Sequence, residues 1–342
     1  MDKENLRIVQ LIHPKHGRRI ALVKEPSLVL LKDIRSAYDL ALKAIHTKAK
    51  IDDYIRMNLS NEQLDYSPVY NGESDPANAG WKLLPSFDHP GGPFGCIISG
   101  TGLTHKNSAL NRQMMHGDGA DKLTDSIKMY QMGVEGGFPE KGKIGVQPEW
   151  FYKGSGYSLR AHGQPLEVPA YANDGGEEPE IAGVYVIDDE GNPWRVGFTT
   201  GNEFSDHIME KKNYLYLAPS KLRQCAVGPE LVIDGSFESL EGIVSILRKK
   251  ETVWTTNIKT GEKNMSHSLE NIEHHQFKYK SHRIPLQVHI HFFGADAFSY
   301  GSGIKLQDGD LMNIQWKGMG RALQNSIKIF TEEEKLMKVR SF

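Results

Sequence analysis

Short apolar runs separated by glycine-rich loops govern what this chain can fold into. Beyond Pro85 they cover residues 95–98, 150–152, 181–187, 194–198, 230–233, 286–293 and 311–316. Runs of this length between turn residues read as strands. The 34 glycines and 16 prolines in 342 residues supply the turns. Helical punctuation is sparse here. Its clearest instance is residues 240–248, where Arg248-Lys249-Lys250 would sit at a helix C-terminus and suit the dipole. No βαβ alternation emerges, so the expected fold class is α+β, mostly β.

The N-terminal part has a different rhythm. Residues 6–11 and 19–23 alternate as strands do. Ile34, Tyr38, Ala41 and Ile45 recur at helical steps, with Asp33 as the expected N-cap. A small αβ unit is expected over residues 1–75, and the turn-rich stretch 66–80 reads as a linker. The expected division is therefore 1–80 and 81–342.

Composition removes several function classes. Lys plus Arg total 41 and Asp plus Glu total 43, a net charge of −2. That balance gives no overall pull toward nucleic acid or anionic membrane. No basic cluster is interleaved with aromatics. Two cysteines, Cys96 and Cys225, exclude a disulfide scaffold and a multi-cysteine metal site. The charged N-terminal residues do not read as a secretory signal, and no apolar run approaches the roughly 18 residues of a membrane helix. A reduced, cytoplasmic protein without nucleic-acid or membrane partners is expected.

The strongest chemical signal is Glu178-Pro179-Glu180, which enters the apolar run 181–187. On a strand, positions i and i+2 share a face. Two carboxylates so close repel, so one must hold a proton or a cation must join them. Pro179 cannot donate to a ladder, which predicts a sheet edge or mouth. The bland alternative is a solvated acidic turn. A second segment, 197–207, carries Asn202, Glu203, Ser205 and Asp206 from a strand into a helix-like stretch. A third carboxylate there would complete an all-oxygen set suited to Mg²⁺, Mn²⁺ or Ca²⁺. The competing reading is a cluster of helix caps. His289 and His291 would face one way on a strand, and His274-His275 reads as a surface pair. Neither pair has a third ligand at zinc spacing. The chain has no serine-nucleophile elbow, P-loop or HExxH motif, and Gly100-Thr-Gly102 lacks the last glycine of a dinucleotide fingerprint.

In their order along the chain these residues resemble the fumarylacetoacetate hydrolase superfamily. The likeness spans about residues 95–330. It rests on Pro148-Glu149 with Lys153, on Glu178-Pro-Glu180, on Gly197-Phe-Thr-Thr-Gly-Asn-Glu203, and on Ser220-Lys221 with Gly228-Pro229. It ends at Gly309-Asp310 and Gly318-Met-Gly320-Arg-Ala-Leu323-Gln-Asn325. The resemblance implies a mixed β-roll catalytic domain with a small N-terminal αβ domain, usually as a homodimer. It implies a divalent cation, Mg²⁺ or Mn²⁺, on Glu178, Glu180 and Glu203, the last standing where the family has Asp. Such a cation would grip a 2-oxo acid and stabilise its enolate.

Two reactions compete on that basis. The branch that dehydrates 2-keto-3-deoxy sugar acids is similar at Glu149 and Lys221. These would serve as base and acid, with Lys221 expected to have a depressed pKa. Lys153, Asn202 and Ser205 would bind substrate; the competing reading of Glu149 is a structural partner of Lys153. The carbon–carbon hydrolases of the family activate water with a His and, three residues on, a Glu. Here His105 matches but Ser108 replaces the acid, leaving Asp118 or Asp121 as substitutes. Residues 293–301 also depart from the family's glycine-threonine-proline loop.

Overall fold

The computed structural model describes residues 5–73, 80–116 and 124–342. Asp118 and Asp121 lie outside these. The N-terminal alternation builds β1 (Arg7–His13), β2 (Gly17–Lys24), β3 (Ser27–Leu31) and β4 (Leu59–Asp65), an antiparallel series. α1 (Ala37–Thr47) and α2 (Ile51–Met57) connect the last two. The cap of α1 is Ser36, whose hydroxyl accepts from Asp39 N at 3.0 Å, rather than Asp33. Asp33 instead takes a left-handed turn at φ 53°. The expected linker opens as a short helix, α3 (Tyr66–Asn71), because Tyr66 and Val69 find a core to enter.

The remaining elements begin with β5 (Lys82–Leu83), β6 (Cys96–Gly102), α4 (Lys106–His116), α5 (Asp125–Gly136) and β7 (Glu149–Ser155). They continue through β8 (Leu159–Arg160), β9 (Leu166–Val168), β10 (Pro179–Ile187), β11 (Pro193–Asn202), α6 (His207–Lys212), α7 (Leu217–Lys221) and β12 (Cys225–Val232). Last come β13 (Leu240–Arg248), β14 (Glu251–Thr260), α8 (Leu269–Phe277), β15 (Val288–Phe292), β16 (Leu311–Trp316) and β17 (Leu323–Ile329). Among the described residues these strands form two mixed sheets. The larger has twelve strands, ordered β4-β3-β2-β1-β12-β11-β10-β15-β6-β7, with β5 beside β1 and β8 beside β12. The smaller has five, ordered β14-β13-β16-β17-β9. The mostly-β expectation holds, and the N-terminal strands extend the large sheet through the β1–β12 pairing.

Two expectations fail for related reasons. Residues 240–248 are strand β13, paired with β14 and β16. Their apolar spacing suits either period, and the strand partners on both sides decide it. Lys249 and Lys250 accordingly form the tight β13–β14 turn, at φ 51° and 73°. Pro179 does not mark an edge either: β10 lies between β11 and β15. Proline fits because it is the strand's first residue. Every residue of β10 is buried, as expected for a strand covered on both faces.

Candidate active site

The β10–β11 hairpin assembles the site. Pro179 opposes Asn202 in register. One step beyond, Glu203 N donates to the Glu178 carbonyl at 2.9 Å. This bond brings the third carboxylate across to the Glu178–Glu180 pair. Ligand atoms of Glu178, Glu180 and Glu203 all lie within 4.8 Å of one another, and all three residues are buried. A solvated acidic turn is therefore excluded.

Two ammonium groups face these carboxylates. Lys221 Nζ donates to Glu178 Oε1 and Glu203 Oε2, both at 2.6 Å, and to Ser205 Oγ at 3.1 Å. Lys153 Nζ pairs with Glu203 Oε1 at 2.7 Å and donates to the Lys221 carbonyl at 3.0 Å and to the Phe204 carbonyl. Burial raises the Glu178 carboxyl, but Lys221 and His207 outweigh it and hold the group well below the usual carboxylate range. Glu180 is driven well above that range by burial and by its neighbours Glu203 and Glu178. Glu203 is pushed up to about 7 by burial and by Glu178, against the pull of both lysines. Three carboxyl groups thus face two ammonium groups, and the proton that Glu180 retains is one a cation would displace. A hard divalent cation is what such an oxygen donor set accommodates.

Lys221 is not depressed. Burial does oppose its charge, but Glu178 and Glu203 more than offset that and raise it above the ordinary lysine value. Glu149 does not pair with Lys153. It takes Arg112 Nη1 at 3.0 and 2.7 Å on its two oxygens, while Arg112 Nε reaches Glu210 at 2.6 Å. Arg112, Glu210 and Ser108 border a small cavity that also touches Glu178 and His207. Asn202 is engaged with the fold, its Oδ1 accepting from Glu178 N at 3.3 Å. Ser205 donates to Glu203 Oε1 at 3.1 Å. Asp206 is a cap, accepting from Met209 N at 2.8 Å, so the capping reading holds for that member of its segment.

His105 is buried among hydroxyls: Nδ1 meets Thr104 Oγ1 at 2.9 Å and Nε2 meets Thr260 Oγ1 at 3.2 Å. Burial pushes it down to about 4. The paired histidines singled out in the sequence also make hydrogen bonds within the fold. His291 bridges Ser99 and Thr101, and His289 meets Gln276. His275 is buried on the Gly145 carbonyl rather than exposed.

Sequence reasoning missed Arg112, His207 and Glu177. Glu177 accepts from Ser299 N at 2.6 Å and Ser299 Oγ at 2.8 Å, tying the departing 293–301 segment to the site. The only signal was its place in the acidic run. Arg112 and His207 stand in polar stretches that carry no pattern of their own.

No family model matches the chain. A 2-dehydro-3-deoxy-D-arabinonate dehydratase from Saccharolobus solfataricus is 28% identical over 186 residues, 53% of this chain. The match spans only 59% of that relative's length. Among solved structures, a 2-keto-3-deoxy-D-arabinonate dehydratase in its apo form superposes with a TM-score of 0.69 at 18% identity, covering 95% of this chain and 100% of that one. The form complexed with magnesium and 2,5-dioxopentanoate gives 0.68 at the same identity and coverage. A 2-hydroxyhepta-2,4-diene-1,7-dioate isomerase from Mycobacterium marinum gives 0.57 at 15% identity, covering 96% and 100%. The chain thus shares the fold of these dehydratase and isomerase structures, and over about half its length it is similar in sequence to one such dehydratase.

Proposed function

We propose that this protein is a divalent-metal-dependent lyase that dehydrates a 2-keto-3-deoxy sugar acid. The observation that carries the proposal is the buried triad Glu178, Glu180 and Glu203, three converging carboxyl groups against two ammonium groups, those of Lys153 and Lys221, among the described residues. These three side chains would hold Mg²⁺, with Mn²⁺ or Ca²⁺ as alternatives. The cation when bound supplies Lewis acidity toward the carboxylate and C2 carbonyl of a 2-oxo acid.

The chain's own groups supply the proton movements. Glu149 takes a proton from C3 once the substrate loosens its tie to Arg112. Lys221, held as an ammonium by its carboxylate neighbours, gives a proton to the departing C4 hydroxyl, which leaves as water. The electron pair left at C3 forms the new C3–C4 double bond, so no oxidant or reductant is needed. Lys153 braces Glu203 from behind, and Ser205 orients Lys221. The relative named for this reaction and the neighbour bound to magnesium support the reading.

The test is turnover of a 2-keto-3-deoxy pentonate or hexonate with Mg²⁺, followed as formation of the dehydrated oxo acid. Glu149→Gln and Lys221→Met should each lower kcat at least a hundredfold. Full turnover in both would overturn the assigned roles. Carbon–carbon hydrolysis of an acylpyruvate is the lesser alternative, because among the described residues His105 makes its hydrogen bonds to threonines. If it operates, His105→Gln abolishes it. The proposal includes a cytoplasmic homodimer, divided at residue 80 into a small N-terminal unit and the catalytic body. Light scattering on the purified protein tests the dimer. No helix among the described residues is long and apolar enough to cross a membrane.

A further inference from the structure

Glu178 receives a second donor besides Lys221, from the start of α6. His207 opens α6 and is almost fully buried. Its Nε2 lies 3.1 Å from Glu178 Oε1, the oxygen that also accepts from Lys221. A carboxylate is acceptor only, so Nε2 carries the proton and donates. The ring is fixed on both sides. Phe298 stacks on it at 4.8 Å and 10°, and Tyr300 lies 5.1 Å away at 31°. At its far edge Nδ1 has no hydrogen-bond partner among the described residues, and a Cβ on Gly176 would come within 2.5 Å of it. Among the described residues the ring therefore has one polar tie, to Glu178, and packing that admits little other orientation.

We propose that His207 is a positioning residue for the metal centre, fixing the direction in which Glu178 presents its carboxylate. The inference rests on the metal-binding reading above. Glu180 has an analogous anchor, the Gly294 N–H at 2.7 Å, and Glu203 has Lys153. Each of the three carboxylates is thus held by a donor from a different element. Hydrogen bonds to ligating groups from such outer partners commonly govern metal affinity by about 10–100-fold. Phe298 and Tyr300 belong to the segment tied down by Glu177, so the anchor of Glu178 is itself backed by that segment.

Isothermal titration of the metal-free protein with MgCl₂ tests this without reference to turnover. His207→Phe keeps a ring against Phe298 and removes the donor; it should weaken Mg²⁺ binding about 10–100-fold. His207→Gln restores an N–H at similar reach and should bind within about threefold of the parent. Unchanged affinity in His207→Phe overturns the inference. If that variant does not fold, Gly176→Ala, which displaces the ring, takes its place under the same criterion. Glu178→Gln separates the two levels. Loss of uptake there with none in His207→Phe refutes only the role of His207, whereas unchanged uptake in Glu178→Gln refutes the metal reading itself.

Discussion

Lys153 shows how the site constrains single residues. Its ammonium is completely buried and faces Glu203 and two backbone carbonyls. Removing one partner of a buried ion pair leaves the other charge without compensation. Lys153→Met should therefore cost about 3–5 kcal/mol, read as a lower urea midpoint at constant slope. The buried histidines set a pH dependence. Burial pushes His291 down to about 3, so it stays neutral in the folded protein while the unfolded chain protonates it near 6.5. Its contribution is complete above pH 6.5 and is lost as pH falls toward 3. Glu203 and Asp174, both pushed up to about 7, act in the opposite sense. The comparison must therefore be with a variant. Between pH 7.5 and 5, His291→Asn should lose less stability than the parent, by up to about 2 kcal/mol. Equal losses would show that His291 does not titrate as a buried neutral ring. The carboxylates were legible because an E-x-E on a strand puts both acids on one face, and the ordered family motifs around them outweighed the solvated-turn reading that spacing alone left open. The lysines were legible only through the family resemblance and their ion pairs not at all, since a lysine reads the same whether it meets water or a glutamate 43 residues away.

At the scale of elements, β13 shows where legibility ended. Leu240, Ile243, Val244 and Leu247 satisfy a helical spacing, and only the β14 and β16 ladders settle the segment as a strand. The strands of the large sheet were readable by contrast, because a run such as 181–187 is too apolar and too short for anything but a covered strand. The same hairpin offers a direct test. Lys249 and Lys250 both adopt left-handed φ values, which side chains other than glycine or asparagine accept at a cost of roughly 1–2 kcal/mol per residue. Lys249→Asn with Lys250→Gly should stabilise the protein by about 1 kcal/mol, seen as a rise in melting temperature, with activity unchanged. A fall would mean the turn does not hold these dihedral angles.

Across the whole molecule, Glu230 joins the N-terminal strands to the body. It accepts from Arg7 at 3.0 Å, Tyr66 at 3.0 Å and the Arg321 backbone at 2.9 Å. Ile8, Ile20 and Leu22 share one core with Val184 and Ile290. Glu230→Ala should cost about 3–5 kcal/mol, and unfolding of parent and variant should remain one transition by fluorescence and circular dichroism alike. Two separate transitions would show that the N-terminal strands unfold on their own. The shared sheet was not readable in the sequence, because pairing between residues 7 and 232 leaves no trace in local pattern. The β10–β11 hairpin has a practical corollary. Its ladder runs from Pro179 opposite Asn202 to Ile187 opposite Pro193, so its turn lies about 30 Å from the carboxylates. A fluorophore or an affinity handle grafted between Asp189 and Gly191 would report on the protein from a distance, leaving the chemistry at the other end undisturbed.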